Sequence, residues 1–154
     1  MLPANERSTP AALRAAALAA AILWLGGFTF YALFVIPSGV AVLGDHRQFG
    51  FVTERVTRWL NGLAALALLL DLPALRRPRW QRCSWVVAAG CTAALVGLHA
   101  YARSFLDFAH RDVHDPETFY QVHRAYLLTA AVQWLAFVSL LADRLRSTRP
   151  TPAP

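Results

Sequence analysis

The sequence contains no lysine, one methionine and two cysteines, and only 16% of its 154 residues are charged. Each shortage excludes something. Cys83 and Cys91 stand eight residues apart on what reads as one helix, about 12 Å along its axis, which is too far for a disulfide. No cysteine pair has metal-binding spacing, so cysteine usage says nothing of redox compartment. Low charge combined with 56% hydrophobic residues excludes a small soluble domain, which could not hide so much apolar surface. With no lysine, fifteen arginines supply all the positive charge behind the formal +6. They lie between and beside apolar runs, which suits membrane orientation and lipid headgroups rather than nucleic acid.

What is present is a set of four apolar segments, each long enough to cross a hydrocarbon core of about 30 Å as a helix of ~20 residues. They cover about 13–36, 52–72, 83–105 and 119–142. Thr9-Pro10 reads as the start of the first and Pro37-Ser38-Gly39 as its stop. Its apolar run is too long for a signal peptide and no small-residue cleavage site follows it, so it reads as a span. Pro73 closes the second. Asp115-Pro116 reads as the cap and first turn of the last helix, which continues to about Leu145 and projects beyond the apolar zone at its start. Residues 1–12 and 147–154 read as tails, the first of them cytoplasmic, and 13–146 as one domain without internal repeats. The expected fold is therefore all-α, an integral membrane up-and-down four-helix bundle.

Arginine distribution orients it. The side holding both termini and the 73–82 loop carries nine arginines against Glu6, Asp71 and Asp143, whereas the other side carries six against six acids. The positive-inside rule then places both termini in the cytoplasm.

All five histidines (His46, His99, His110, His114 and His123) fall on the opposite, outer side or in the outer half of the spans. There Glu54, Arg58 and Asn61 share one helical stripe at i, i+4 and i+7. His99 and Arg103 lie four apart on the third span, and His123, Tyr126, Ala130, Gln133 and Phe137 line the fourth. Trp24, Gly27, Tyr31 and Phe34 face in from the first. The levels of His99 and His123 differ by only ~3 Å at a rise of 1.5 Å per residue, so antiparallel neighbours could bring the two together. Glu54, Arg58, Asn61, His99, His123, Tyr126 and Gln133 thus form a candidate outward-facing ligand pocket, with His99 and His123 as candidate metal ligands.

Several chemistries fit those residue types. Two facing histidines could hold haem axially, and histidines with Glu54 could hold iron, copper or zinc. Without a metal, histidine and arginine beside Tyr126 could deprotonate a quinone-like or other small hydrophobic ligand arriving from the lipid bilayer. The commoner roles of the same residues are structural. Glu54 and Arg58 make an i, i+4 ion pair, Asn61 and Gln133 bond helix to helix, and His123-Arg124 anchors a helix at the interface. His110 and His114 beside Asp112 and Asp115 read as a solvated loop without zinc or calcium spacing. The alternatives are a binding protein or enzyme, or a structural or accessory subunit. A transporter would need an oligomer, since four spans hold neither repeats nor broken helices.

The pieces GGFTFYALFVIP, GFVTERVTRWLN and FYQVHRAYLLTAAVQW, spread from Trp24 to Trp134, resemble small bacterial four-helix membrane proteins, some loosely similar to the anthrone-oxygenase-like group. The resemblance implies a bacterial inner-membrane location and oxygenation of a polycyclic phenol. It assigns no role to a particular residue of this chain.

Overall fold

The computed structural model describes residues 10–44, 46–76, 78–110 and 112–147, with backbone alone for 46–50, 76 and 147. Most of the sequence expected to form the two tails, 1–9 and 148–154, lies outside the described residues. The described residues are all-α apart from one small hairpin. A first helical rod, Ala11–Leu43, comprises α1 (Ala11–Phe30), a π-helical turn at Tyr31–Val35 and α2 (Ile36–Leu43). The other long helices are α3 (His46–Leu70), α4 (Arg79–Arg103) and α5 (Pro116–Ser147), with a 3-10 turn at Leu72–Arg76 between α3 and α4. Between α4 and α5, β1 (Leu106–Asp107) pairs antiparallel with β2 (Asp112–Val113), Asp107 opposite Asp112.

The first rod runs on where a stop was expected. Proline lacks an N–H and crowds the carbonyl four residues before it. Pro37 is accommodated because it sits in the first turn of α2, directly after the π turn, whose wider winding re-aims the carbonyls that a regular helix would drive into the ring. The rod stops seven residues later at Gly44. That glycine is left-handed at φ 64° and donates its N–H to the Val40 carbonyl at 2.9 Å. At the start of α5, Asp115 caps the helix by accepting the Thr118 N–H at 3.2 Å, itself held at φ 50°.

Among the described residues, three helices are long and apolar enough to cross a membrane: Ala11–Leu43, Arg79–Arg103 and Pro116–Arg146. The second expected span, 52–72, is not among them, which corrects four such helices to three. The physical reason is charge. Glu54, Arg55 and Arg58 occupy the upper part of α3, and the uncharged run Trp59–Leu70 is twelve residues, about 18 Å of helix against a core of about 30 Å.

The rods form a ring in the order first rod, α3, α4, α5, with the α4–α5 contact the most extensive. Toward the end that carries the termini the core is apolar. Ala20, Ala21, Trp24 and Leu25 of α1 meet Ala64, Ala67 and Leu68 of α3, Ala88 of α4, and Ala136, Phe137 and Leu140 of α5. Alanines at the contacts let the backbones approach closely, and the Trp24 and Phe137 rings, 4.3 Å between centroids, fill the middle. The Trp85 indole of α4 donates to the Leu68 carbonyl at 3.2 Å. Asp71 and Arg144 pair at the lower edge, tying the end of α3 to α5. Phe137→Ala is expected to cost about 3–5 kcal/mol by leaving a cavity against Trp24. Leu128→Ala on the same helix, at a side chain 71% exposed, leaves unfolding unchanged. Denaturant unfolding in detergent followed by circular dichroism compares the two.

Candidate functional site

Above the apolar core, toward the hairpin end, the interior turns polar in three groups of contacts. The deepest joins α4 to α5. Gln133, 1% exposed, donates from Nε2 to Thr92 Oγ1 at 2.7 Å, and the Thr92 hydroxyl in turn donates a hydrogen bond to the Ala88 carbonyl at 2.8 Å. This chain of two bonds links α4 to α5 and reads as helix-to-helix bonding. Gln133 is therefore tied up away from Glu54 and His99.

The second group joins α3 to α5 and the first rod. Tyr126 donates its hydroxyl to Asn61 Oδ1 at 3.0 Å. Asn61 is 6% exposed, and its Nδ2 is buried with no hydrogen-bond partner among the described residues. A buried amide donor left unmade costs about 1–3 kcal/mol. Buried Tyr31, the first residue of the π turn, directs its hydroxyl at Thr53 and Thr57 of α3. Tyr31, on the inward stripe that the helical period gave with Trp24, thus brings a phenol to the same helix that holds Asn61.

The third group lies nearest the hairpin and centres on one atom, Glu54 Oε1. Arg58 hydrogen-bonds to it from the same helix. From α4, His99 Nε2 lies 3.5 Å away and Arg103 Nη1 3.8 Å away. The Glu54 side chain is 8% exposed while both arginines are about half exposed, so the carboxylate lies beneath a pair of guanidiniums. His99 Nε2 is buried and makes no hydrogen bond of good geometry. An exposed carboxylate–arginine pair contributes little. Here the acid is buried and needs its partners.

His123 does not join this group. It is exposed and stacks on Phe119 of its own helix, centroids 6.2 Å apart and planes 9° from parallel. Equal depth did not bring the histidines together, because rotation about each helix axis, not level, decides which way a side chain faces. His99 thus lies against Glu54 and His123 against Phe119. The Glu54 oxygen that would serve as a further ligand is already claimed by Arg58 and approached by Arg103, and no group of three His, Cys, Asp or Glu side chains among the described residues has metal-holding geometry.

The loop read as solvated is exposed, with the His110 and His114 side chains 82% and 69% accessible, and it carries the small β1–β2 pair. Asp107 accepts the backbone N–H groups of Ala109 and His110, contacts the His110 ring Nδ1 at 2.7 Å and lies 3.8 Å from His114 Nε2. The His110 ring, first, and the two backbone N–H groups hold the Asp107 carboxyl down at about 2, and the same pair raises His110 above its ordinary 6.5. Asp107's share of the pair is present above the ordinary carboxylate value of 3.8 and lost as pH falls toward about 2. His110's share is complete below 6.5 and lost as pH rises through its raised value. Phe108, at the hairpin tip, packs edge-on against Phe51 of α3 at 5.4 Å and lies 5.5 Å beneath the Arg103 guanidinium.

No family model, no curated protein and no solved structure matches the chain.

Two outcomes are expected. Tyr126→Phe strands both ends of the Asn61 amide and costs about 1–3 kcal/mol of stability in a denaturant titration. Asp107→Asn returns the His110 ring to its ordinary titration range, read from histidine ring proton shifts against pH.

Proposed function

We propose that this chain is a multi-pass membrane protein whose polar upper interior binds a small hydrophobic ligand carrying an oxygen acceptor. The observation that carries the reading is the buried Nδ2 of Asn61, without a partner among the described residues, beside the Tyr126 hydroxyl, in a bundle whose described residues include three helices apolar enough to cross a bilayer. Burying a donor without an acceptor is costly, and polar groups in membrane helices commonly belong to a site. A carbonyl or phenolic oxygen arriving from the lipid would satisfy it, with Tyr31 and Tyr126 as aromatic walls.

In this reading α3 is a fourth crossing. Its apolar lower half is too short alone, but α4 covers Glu54, and Arg58 extends toward the surface so that its charge stays hydrated. Four crossings bring both termini to one face. The arginine excess makes that face cytoplasmic, so the polar end opens on the opposite side, as expected for a bacterial inner-membrane protein. A structural or accessory role has its own support in Gln133 and Thr92, whose bond is complete and links two helices.

Asn61→Leu separates these readings. Organic extracts of purified protein are compared by mass spectrometry, with circular dichroism to establish folding. A species retained near one per chain by the unsubstituted protein and lost from folded Asn61→Leu supports the site. Equal extracts from both, with Asn61→Leu merely less stable, sink it in favour of the structural role.

A further inference from the structure

We propose that Arg58 and Arg103 form a clamp for an anionic phosphate group, taken from a phospholipid headgroup at the hairpin end of the bundle. The lipid source rests on the membrane reading above; the clamp itself rests on local geometry. Two guanidiniums from different helices reach one carboxylate oxygen, Glu54 Oε1. Among the described residues, one carboxylate, Glu54, pairs with these two permanent positive charges, leaving a surplus of one. The carboxylate is buried beneath them, whereas the arginine side chains are 53% and 51% exposed. Each guanidinium carries five N–H donors in a fixed plane, and Glu54 engages only part of that set. Donors left over on two half-exposed side chains that share one carboxylate oxygen suit a tetrahedral oxyanion bridging both.

An arginine that simply extends toward headgroups needs no fixed orientation. Arg103 has one. The Phe108 ring, packed edge-on against Phe51, lies 5.5 Å from its guanidinium carbon, a contact that does not depend on Glu54. The hairpin therefore supplies the shelf on which the second jaw rests. Preorganised donors lose less freedom on binding, which is how a half-exposed site gains affinity. Arg55, exposed on the same helix, does not reach Glu54 and serves as the control.

The test is lipid retention by native mass spectrometry of the full chain in detergent, titrated with phosphatidylglycerol and separately with inorganic phosphate at matched ionic strength. One phosphatidylglycerol is expected to bind the unsubstituted protein. Arg58→Gln and Arg103→Gln should each weaken it about tenfold or more, the loss of a charge-assisted pair of bonds. Arg55→Gln should match the unsubstituted protein. Glu54→Gln, which keeps the shape and removes the competing charge, should bind several-fold tighter, guarding against the case where an arginine variant misfolds. Retention unchanged in Arg58→Gln and Arg103→Gln, equal loss in Arg55→Gln, or weaker binding by Glu54→Gln would each overturn the clamp. If inorganic phosphate alone binds with the same ranking of variants, the clamp stands and its source is a free anion. Because Asn61 is untouched in every variant, failure here is distinct from failure of the small-ligand site.

Discussion

A charge or a hydrogen-bonding group removed from water must be answered by a partner, and in an apolar helical bundle that partner comes mostly from another helix. The interior follows from this constraint. Glu54 is answered by Arg58, His99 and Arg103, Gln133 by Thr92, Asn61 by Tyr126, and Asp71 by Arg144 at the far end. Each answer except Arg58's crosses between helices. Together they do what the alanine contacts cannot: alanines let helices approach at many rotations, whereas a bond from Gln133 to Thr92 admits one. The apolar lower core supplies the packing, and the polar contacts set the register.

That division decides how much could be read from the residues. The Glu54–Arg58 pair was legible because i, i+4 spacing alone puts the two side chains together. The depth of His99 and its neighbour Arg103 were legible for the same reason. Contacts within one helix follow from a fixed period. Contacts between helices depend on rotation and tilt, which come from the whole packed bundle, so His123 was drawn toward His99 on level alone and stacks instead on Phe119. Gln133 stood on the same expected stripe as His123, yet only Gln133 is buried. Arg144 and Asp71, far apart in sequence, gave no sign that they would meet.

Punctuation was less reliable than periodicity. Pro37 reads as a stop because a regular helix cannot hold it, but a helix that has already changed its winding can. Asp115 reads as a cap and serves as one, since a side-chain acceptor beside free N–H groups needs nothing from the rest of the chain. The hairpin falls between these cases. Its strands are two residues each, too short for alternation to register, and it is Asp107, collecting two backbone N–H groups and one histidine ring, that orders the turn.

The π turn at Tyr31–Val35 has a further consequence for the rod that contains it. A regular α-helix has a single phase: fixing where Trp24 points also fixes where every later residue points, about 100° per residue. One wider turn breaks that bond between the halves. The lower segment can aim Trp24 and Leu25 at the alanine-lined core while the upper segment takes its own angle toward α3, and neither compromises for the other. The rod behaves as two helices coupled end to end through a rotary joint, each with an independently set heading.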